Sequence, residues 1–329
     1  MSGLRIETRV SEDGSSNDQS HATRRSPWTD RLVARRESFL DLITSTQPGA
    51  VLNEGETGLP ANQAVGSDLT ADLKRFMDMT KMEAIDEQGY SVDYKRLKES
   101  PAYREYRKRC SPRLRDFDPR MLSTRGEKLA FWINLYNALI MDGVIAKEVT
   151  ESVGSNPLAL LGFFRQTAYD VAGLRMNADD IEHGILRGNQ GHPMIPGPQF
   201  ASQDARLAWM VNPVDVRIHF ALNCAGRSCP PIQVYTPEKI DQQLDLAARN
   251  FVDADVQIDQ DRNTAQLSAI FNWFGKDFGG QQGVINFLIE HLPQGERKTW
   301  LLEHRDTIAF QYKTYDWGLN SSHIPVTSS

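Results

Sequence analysis

The segment DVRIHFALNCAGRSCPP, residues 215–231, brings an acid, a guanidinium, an imidazole, an amide and two thiols into one short stretch. Its period-2 pattern predicts a strand. Alternation then puts Val216, Ile218, Phe220 and Leu222 on an apolar face and Asp215, Arg217, His219 and Asn223 on a polar one. Such a row is either a satisfied buried network or the wall of a reactive site. Cys224 follows directly and enters an Ala-Gly-Arg turn, whose N–H groups and Arg227 could stabilise a thiolate or an oxyanion. On a straight strand His219 lies about 16 Å from Cys224. Pairing the two needs a sharp fold-back at 223–226; otherwise the base is His183, arriving from another element. The bland reading of Cys224 is a small core residue, because strict alternation places it on the apolar face.

Cys224 and Cys229 form a C-x4-C pair that could close a disulfide, supply half a metal site or do neither. With no second cysteine pair and no HExxH, no metal or other cofactor is expected. A dithiol redox role is weakly signalled, since the common motif is C-x-x-C. Glu182 and His183 are helical neighbours pointing about 100° apart, so they do not face each other. His183 instead shares a face with Asp179 and Arg187. Asn134 and Asn137 form a polar stripe on an almost wholly apolar helix and must find partners, in a neighbouring loop or in a bound amide. Trp132, Trp273 and Trp317 read as core anchors, and Asp316 as a late acid able to orient an imidazole.

Several elements must position these groups. Residues 1–66 read as a largely disordered arm with one short helix over 29–46, 47–67 being a link. A single domain follows over 67–320, and residues 321–329 read as a disordered tail. Ser67 is expected to cap a helix to about 85, and 94–110 to form one or two helices broken at Pro101. Thr124-Arg-Gly-Glu127 is a capping box opening a central helix to about 148. Residues 166–176 predict a hairpin turning at Ala172-Gly173, after which Asn177 caps the helix ADDIEHGILRG. A helix is expected after Thr236-Pro237, a second hairpin around 260–263, helices near 282–292 and 297–310, and a terminal strand QYKTYDW.

The 329 residues are 40% hydrophobic and 24% charged, with a net charge of −6. That balance argues against nucleic acid, whose binding is driven by Lys and Arg. Three cysteines make no disulfide framework, and the start lacks the apolar core of a secretory signal, so a cytoplasmic protein is expected. The apolar run 131–146 is short for a membrane span and carries Asn134, Asn137 and Asp142. No membrane partner is expected, and oligomeric state is not legible.

FWINLYNAL (131–139), DIEHGILR (180–187), DVRIHFALNCAGRSCPPI (215–232), WFGKDF (273–278) and YDWGLN (315–320) together resemble the family catalogued as domain of unknown function 547. The resemblance marks residues to test and implies no activity. The sequence thus predicts an α+β domain with a mixed or antiparallel sheet packed by helices. Its leading functional reading is a thiol-dependent hydrolase or acyltransferase acting on an amide, ester or thioester. In it Cys224 attacks, His219 or His183 takes the proton, and Asp215, Glu182 or Asp316 orients the imidazole, while Arg217, Arg227 or Asn223 steadies charge. The alternative is a non-catalytic module that recognises a small anionic ligand or a partner peptide through Arg187 and Arg217.

Overall fold

A computed structural model describes residues 27–55 and 68–322. The first part of the expected arm, residues 56–67 and the tail from 323 lie outside the described residues. In chain order the fold has α1 (Pro27–Ile43), α2 (Leu69–Ala84), α3 (Tyr94–Glu99), α4 (Pro101–Glu105), α5 (Arg125–Ala146) and α6 (Pro157–Gln166). The hairpin β1 (Ala168–Val171) and β2 (Leu174–Asn177) comes next, then α7 (Ile240–Asp255), β3 (Gln257–Asp259) and β4 (Thr264–Leu267). The chain closes with α8 (Ala269–Trp273), α9 (Gly280–His291), α10 (Glu296–His304) and β5 (Ala309–Tyr312). The protein is α+β, with helices predominant and two small sheets among the described residues. One is the antiparallel β1–β2 hairpin; the other has the order β3-β4-β5, antiparallel then parallel.

α5 is the central helix. Thr124 and Glu127 form the reciprocal capping box, and every residue from Leu129 to Ile145 is buried. The helix is long and apolar enough to cross a membrane, yet it lies inside the fold, with 94% of its most apolar stretch buried. One hydrophobic cluster surrounds it, and a second gathers Phe220 with residues of α7, β4 and α8 to α10. Both stripe asparagines are used structurally. Asn134 donates to the Tyr235 carbonyl at 2.8 Å and accepts from Tyr235 N–H at 3.1 Å. Asn137 donates to Ala221 O at 3.0 Å and accepts from Asn223 N–H at 2.9 Å. Asn134→Leu should therefore lower stability by about 1–3 kcal/mol despite adding apolar bulk, because the Tyr235 backbone is left unpaired. Denaturant unfolding at unchanged or greater stability would refute this.

Other expectations need correction. The helix cap is Asp68, whose side chain accepts from Thr70 and Ala71 N–H; Ser67 lies outside the described residues. Residues 47–55 are docked, not linking: Asn53 is buried and bonds Ser111 O, Asp170 O and Asp170 N–H. α1 is also fastened, through Glu37 and Asp41 to Arg165, and through Arg36 to the carbonyls of Pro196 and Gln199. The terminal strand stops at Tyr312; Lys313 N–H still bonds Leu267 O at 2.8 Å, and residues 314–317 lie outside the strand. The largest difference is at 215–223, which is not a strand. Val216–Phe220 is one 3-10 segment, started by Asp215, whose carboxylate accepts from Arg217 N–H.

Candidate functional site

The 3-10 segment runs between the two hydrophobic clusters. Ile218, Ala221 and Leu222 pack into the first, and Phe220 into the second with Val216 at its edge. Apolar residues are thus needed on opposite sides, and in sequence this looks like strand alternation. The tighter turn shortens the path from His219 to Cys224 relative to a strand. A fold-back then follows. Asn223 Oδ1 accepts from Ala225 N–H at 2.9 Å, and Ala225 adopts a left-handed φ of 65°. Gly226 lacks a side chain where the backbone of Asp316 and the ring of Tyr315 press closest, so the 315–318 segment seals this turn.

The outcome is a cavity of about 560 Å³. Cys224, His219, His183, Glu182, Asp179 and Tyr136 all line it, together with His192 and Tyr315. Most of its remaining wall is apolar, with Leu160, Phe164, Ile270, Trp273, Phe274 and Trp317 among its members. Trp273 and Trp317, read as core anchors, stack on each other with centroids 5.6 Å apart and face the cavity.

His219 is oriented by an acid that the sequence reading did not select. Asp277 Oδ2 lies 2.9 Å from His219 Nε2, and the same carboxylate takes Arg187 Nε at 2.6 Å and Nη2 at 2.9 Å. Despite burial, which works against the charge, the bonds from Arg187 and His219 hold the Asp277 carboxyl at about 2. The ionised carboxylate only accepts, so His219 Nε2 carries the proton. Nδ1 is then a free lone pair, and it has no hydrogen-bond partner among the described residues. Burial pushes the His219 pKa below its ordinary value, which keeps the ring neutral. It stacks on Phe274 at 4.0 Å.

His183 comes from a π-helical segment, Asp180–Leu186, whose wider turn follows the Asn177 cap. Arg187 Nη1 lies 3.1 Å from His183 Nδ1, and Asp179 lies 3.8 Å from Nε2, so the expected shared face is present. Since guanidinium only donates, Nδ1 accepts and Nε2 bears the proton. Burial, then the charges of His192 and Arg187, push His183 well below the ordinary range; burial likewise brings His192 down to about 4. Glu182 accepts from the Tyr136 hydroxyl at 3.0 Å, and burial raises its carboxyl to about 7. Burial also raises Asp179 well above its usual value. At neutral pH the cavity therefore presents neutral imidazoles, two carboxyls lifted out of the ordinary acid range, and hydroxyls.

The two sulfurs are in contact: Cys224 Sγ and Cys229 Sγ are 2.6 Å apart. Cys229 is buried and accepts from Cys224 N–H and Gly226 N–H at 3.2 Å each and from Tyr315 Oη–H at 3.1 Å. Against burial, these donors and the Cys224 thiol hold Cys229 down, while the bond to Cys229, then burial, pushes Cys224 up. The shared proton thus rests on Cys224. Cys224 is bonded to Cys229 and Tyr315 and to no imidazole.

The other expected site residues lie elsewhere. Asp215 pairs with Arg217 at 2.7 Å and Arg125 at 3.0 Å, and Arg217 also reaches Asp241 at 2.9 Å. This network is outside the cavity, so Asp215 orients no imidazole and Arg217 meets no ligand there. Asp316 points away, exposed beside Arg227 at 3.5 Å, while its neighbour Tyr315 takes the inward place. Asn223 spends its side chain on Pro230 O, Ala225 N–H and Asn320. Arg187 is held by Asp277 and by Gly191 O. Asp277, Tyr136, His192 and Tyr315 are the residues missed. For Asp277 a signal existed: an acid set among Trp273, Phe274 and Phe278 is buried with its aromatic neighbours and must be paired.

This architecture defines an α+β protein whose helical body encloses a cavity lined by a thiol and three imidazoles. Residues 119–252 match the model of a family described as protein of unknown function, DUF547, the family that the five segments resemble. No curated protein and no solved structure matches the chain. The matched segment carries His183, His219, Cys224 and Cys229; Asp277, Tyr315 and the paired tryptophans lie beyond it.

Proposed function

We propose that the protein is a thiol-dependent hydrolase or acyltransferase acting on an uncharged ester, thioester or amide with an apolar acyl group. The observation that carries this reading is the convergence of Cys224, His219, His183 and Glu182 on one largely apolar cavity. The proton of Cys224 passes to Cys229 Sγ at 2.6 Å, and Cys224 Sγ bonds to the carbonyl carbon. Glu182, near half-protonation at neutral pH, delivers a proton to the departing group as its bond breaks. His219 Nδ1, neutral and oriented through Asp277, then takes a proton from the water or acceptor that releases the acyl group. The Tyr315 hydroxyl, 3.4 Å from the reacting sulfur, turns from Cys229 to donate to the developing oxyanion once Cys229 has taken up the proton.

An anionic ligand held by Arg187 and Arg217 has less support. Arg217 is off the cavity, and Arg187 is neutralised by Asp277. The chain, kept reduced, should release p-nitrophenol in a stoichiometric burst from p-nitrophenyl alkanoates and carry the acyl mass on the Cys224 peptide. Cys224→Ser should abolish both, and His219→Gln should let the acylated form accumulate. Absence of any Cys224 adduct in the folded, reduced protein would sink the reading.

A further inference from the structure

The contact between the two sulfurs supports an activity that does not depend on acyl transfer. We propose that Cys224 and Cys229 form a dithiol–disulfide couple that exchanges with small-molecule disulfides entering through the cavity. Three features carry it. The sulfurs approach to 2.6 Å, inside van der Waals contact, while neither cysteine is in a disulfide. The turn between them is built to hold that approach, through the Asn223 side chain, the left-handed Ala225 and the side-chain-free Gly226. The sulfurs are also inequivalent, as a couple of this kind requires. Cys224 lines the cavity, whereas Cys229 sits behind it, 3% exposed, ringed by two N–H groups and the Tyr315 hydroxyl.

The reaction balances without any group beyond the incoming disulfide. The Cys224 proton moves to Cys229, and the Cys224 thiolate attacks one sulfur of R–S–S–R. That S–S bond breaks, and the first R–S⁻ leaves and takes up a proton from water. Cys229 then loses its proton to the hydroxide left by that step, and its thiolate attacks Cys224 Sγ in the mixed disulfide. The second R–S⁻ leaves and is protonated in turn. The protein dithiol is oxidised by two electrons, and one small disulfide is reduced to two thiols. A dithiol reductant runs the sequence backwards. Oxidised Cys224 has no lone thiolate to offer a carbonyl, so any reaction that uses it as nucleophile stops in the disulfide form.

The test reads sulfur directly and needs no acyl substrate. The full chain is equilibrated across ratios of reduced to oxidised glutathione, quenched in acid, alkylated under denaturing conditions and mapped by mass. The expected result is one two-electron transition that links the Cys224 and Cys229 peptides, with Cys110 alkylated throughout. Cys229→Ser should accumulate glutathione on Cys224, and Cys224→Ser should show neither adduct nor link. The proposal is overturned if both thiols stay alkylatable in fully oxidised glutathione. It is overturned equally if the link persists in excess dithiothreitol, which would make it a permanent crosslink. Because the wild-type titration stands alone, poor folding of a variant leaves the outcome readable. A positive titration with no acyl adduct in the reduced protein would keep this activity and discard the acyl-transfer reading.

Discussion

Asp277→Ala should lower the unfolding free energy by about 3–5 kcal/mol in urea or guanidinium titrations, among the largest single-residue losses in the protein. The Asp277 side chain is 0% exposed and is the shared acceptor for Arg187 and His219. Its removal leaves a guanidinium with only Gly191 O, the lone pair of His183 and the face of Phe274, at 4.7 Å, for company. Asp277→Asn retains the shape and one acceptor but not the charge, so its loss should be smaller. The pH dependence has a definite sign. The folded carboxyl, at about 2, lies below its ordinary 3.8, so the stabilisation is complete above that ordinary value and fades as pH falls towards 2. The wild-type advantage over Asp277→Asn should shrink over that window; a gap independent of pH, or a loss under about 1 kcal/mol for the alanine variant, would mean that the pair contributes nothing net.

Asp142→Ala should cost a comparable amount, about 3–5 kcal/mol, at a residue that does not line the cavity. Asp142 projects from α5 at 1% exposure and accepts from Tyr103 Oη at 2.6 Å, Tyr169 Oη at 2.8 Å and Arg107 Nη1 at 2.7 Å. Tyr106 Oη completes the group at 2.9 Å from Tyr169. Alanine strands two buried hydroxyls and a guanidinium, on three different elements, at once. Tyr103→Phe removes one donor and leaves the acid two others, so its loss should be about 1 kcal/mol. Equal losses for the two variants, measured by chemical denaturation, would show that the carboxylate is not the hub.

The parts of the fold legible in sequence are those fixed by local chemistry. The Thr124–Glu127 capping box, the turn at Ala172-Gly173 and the Asn177 cap all depend on a few adjacent residues, and each is present. The 215–223 segment misleads because period 2 records only that neighbouring residues face opposite ways. Ile218 and Phe220 both satisfy that by entering different hydrophobic clusters from a 3-10 turn. The same shift sends Asp215 and Arg217 away from His219. At the site, Cys224, His219, His183 and Glu182 could be nominated from residue type and local pattern, and they share one cavity. Which acid serves His219 depends on a contact across 58 positions of chain, and no periodicity encodes it. Tyr315 and Asp316 differ only in which neighbour turns inward, a choice settled by the close approach of this segment to Gly226.

The cavity wall runs in sequence from Tyr136 to Trp317, so its assembly follows the order of synthesis. As the chain is made, α5 and the 180–231 region emerge well before Trp273, Asp277, Tyr315 and Trp317. Until those later residues arrive, His219 lacks its orienting carboxylate, and Cys229 lacks the phenol that holds its sulfur. A nascent chain therefore carries its thiols and imidazoles uncoupled, and their arrangement around the cavity is complete only after the 315–317 segment has closed over the turn at Gly226.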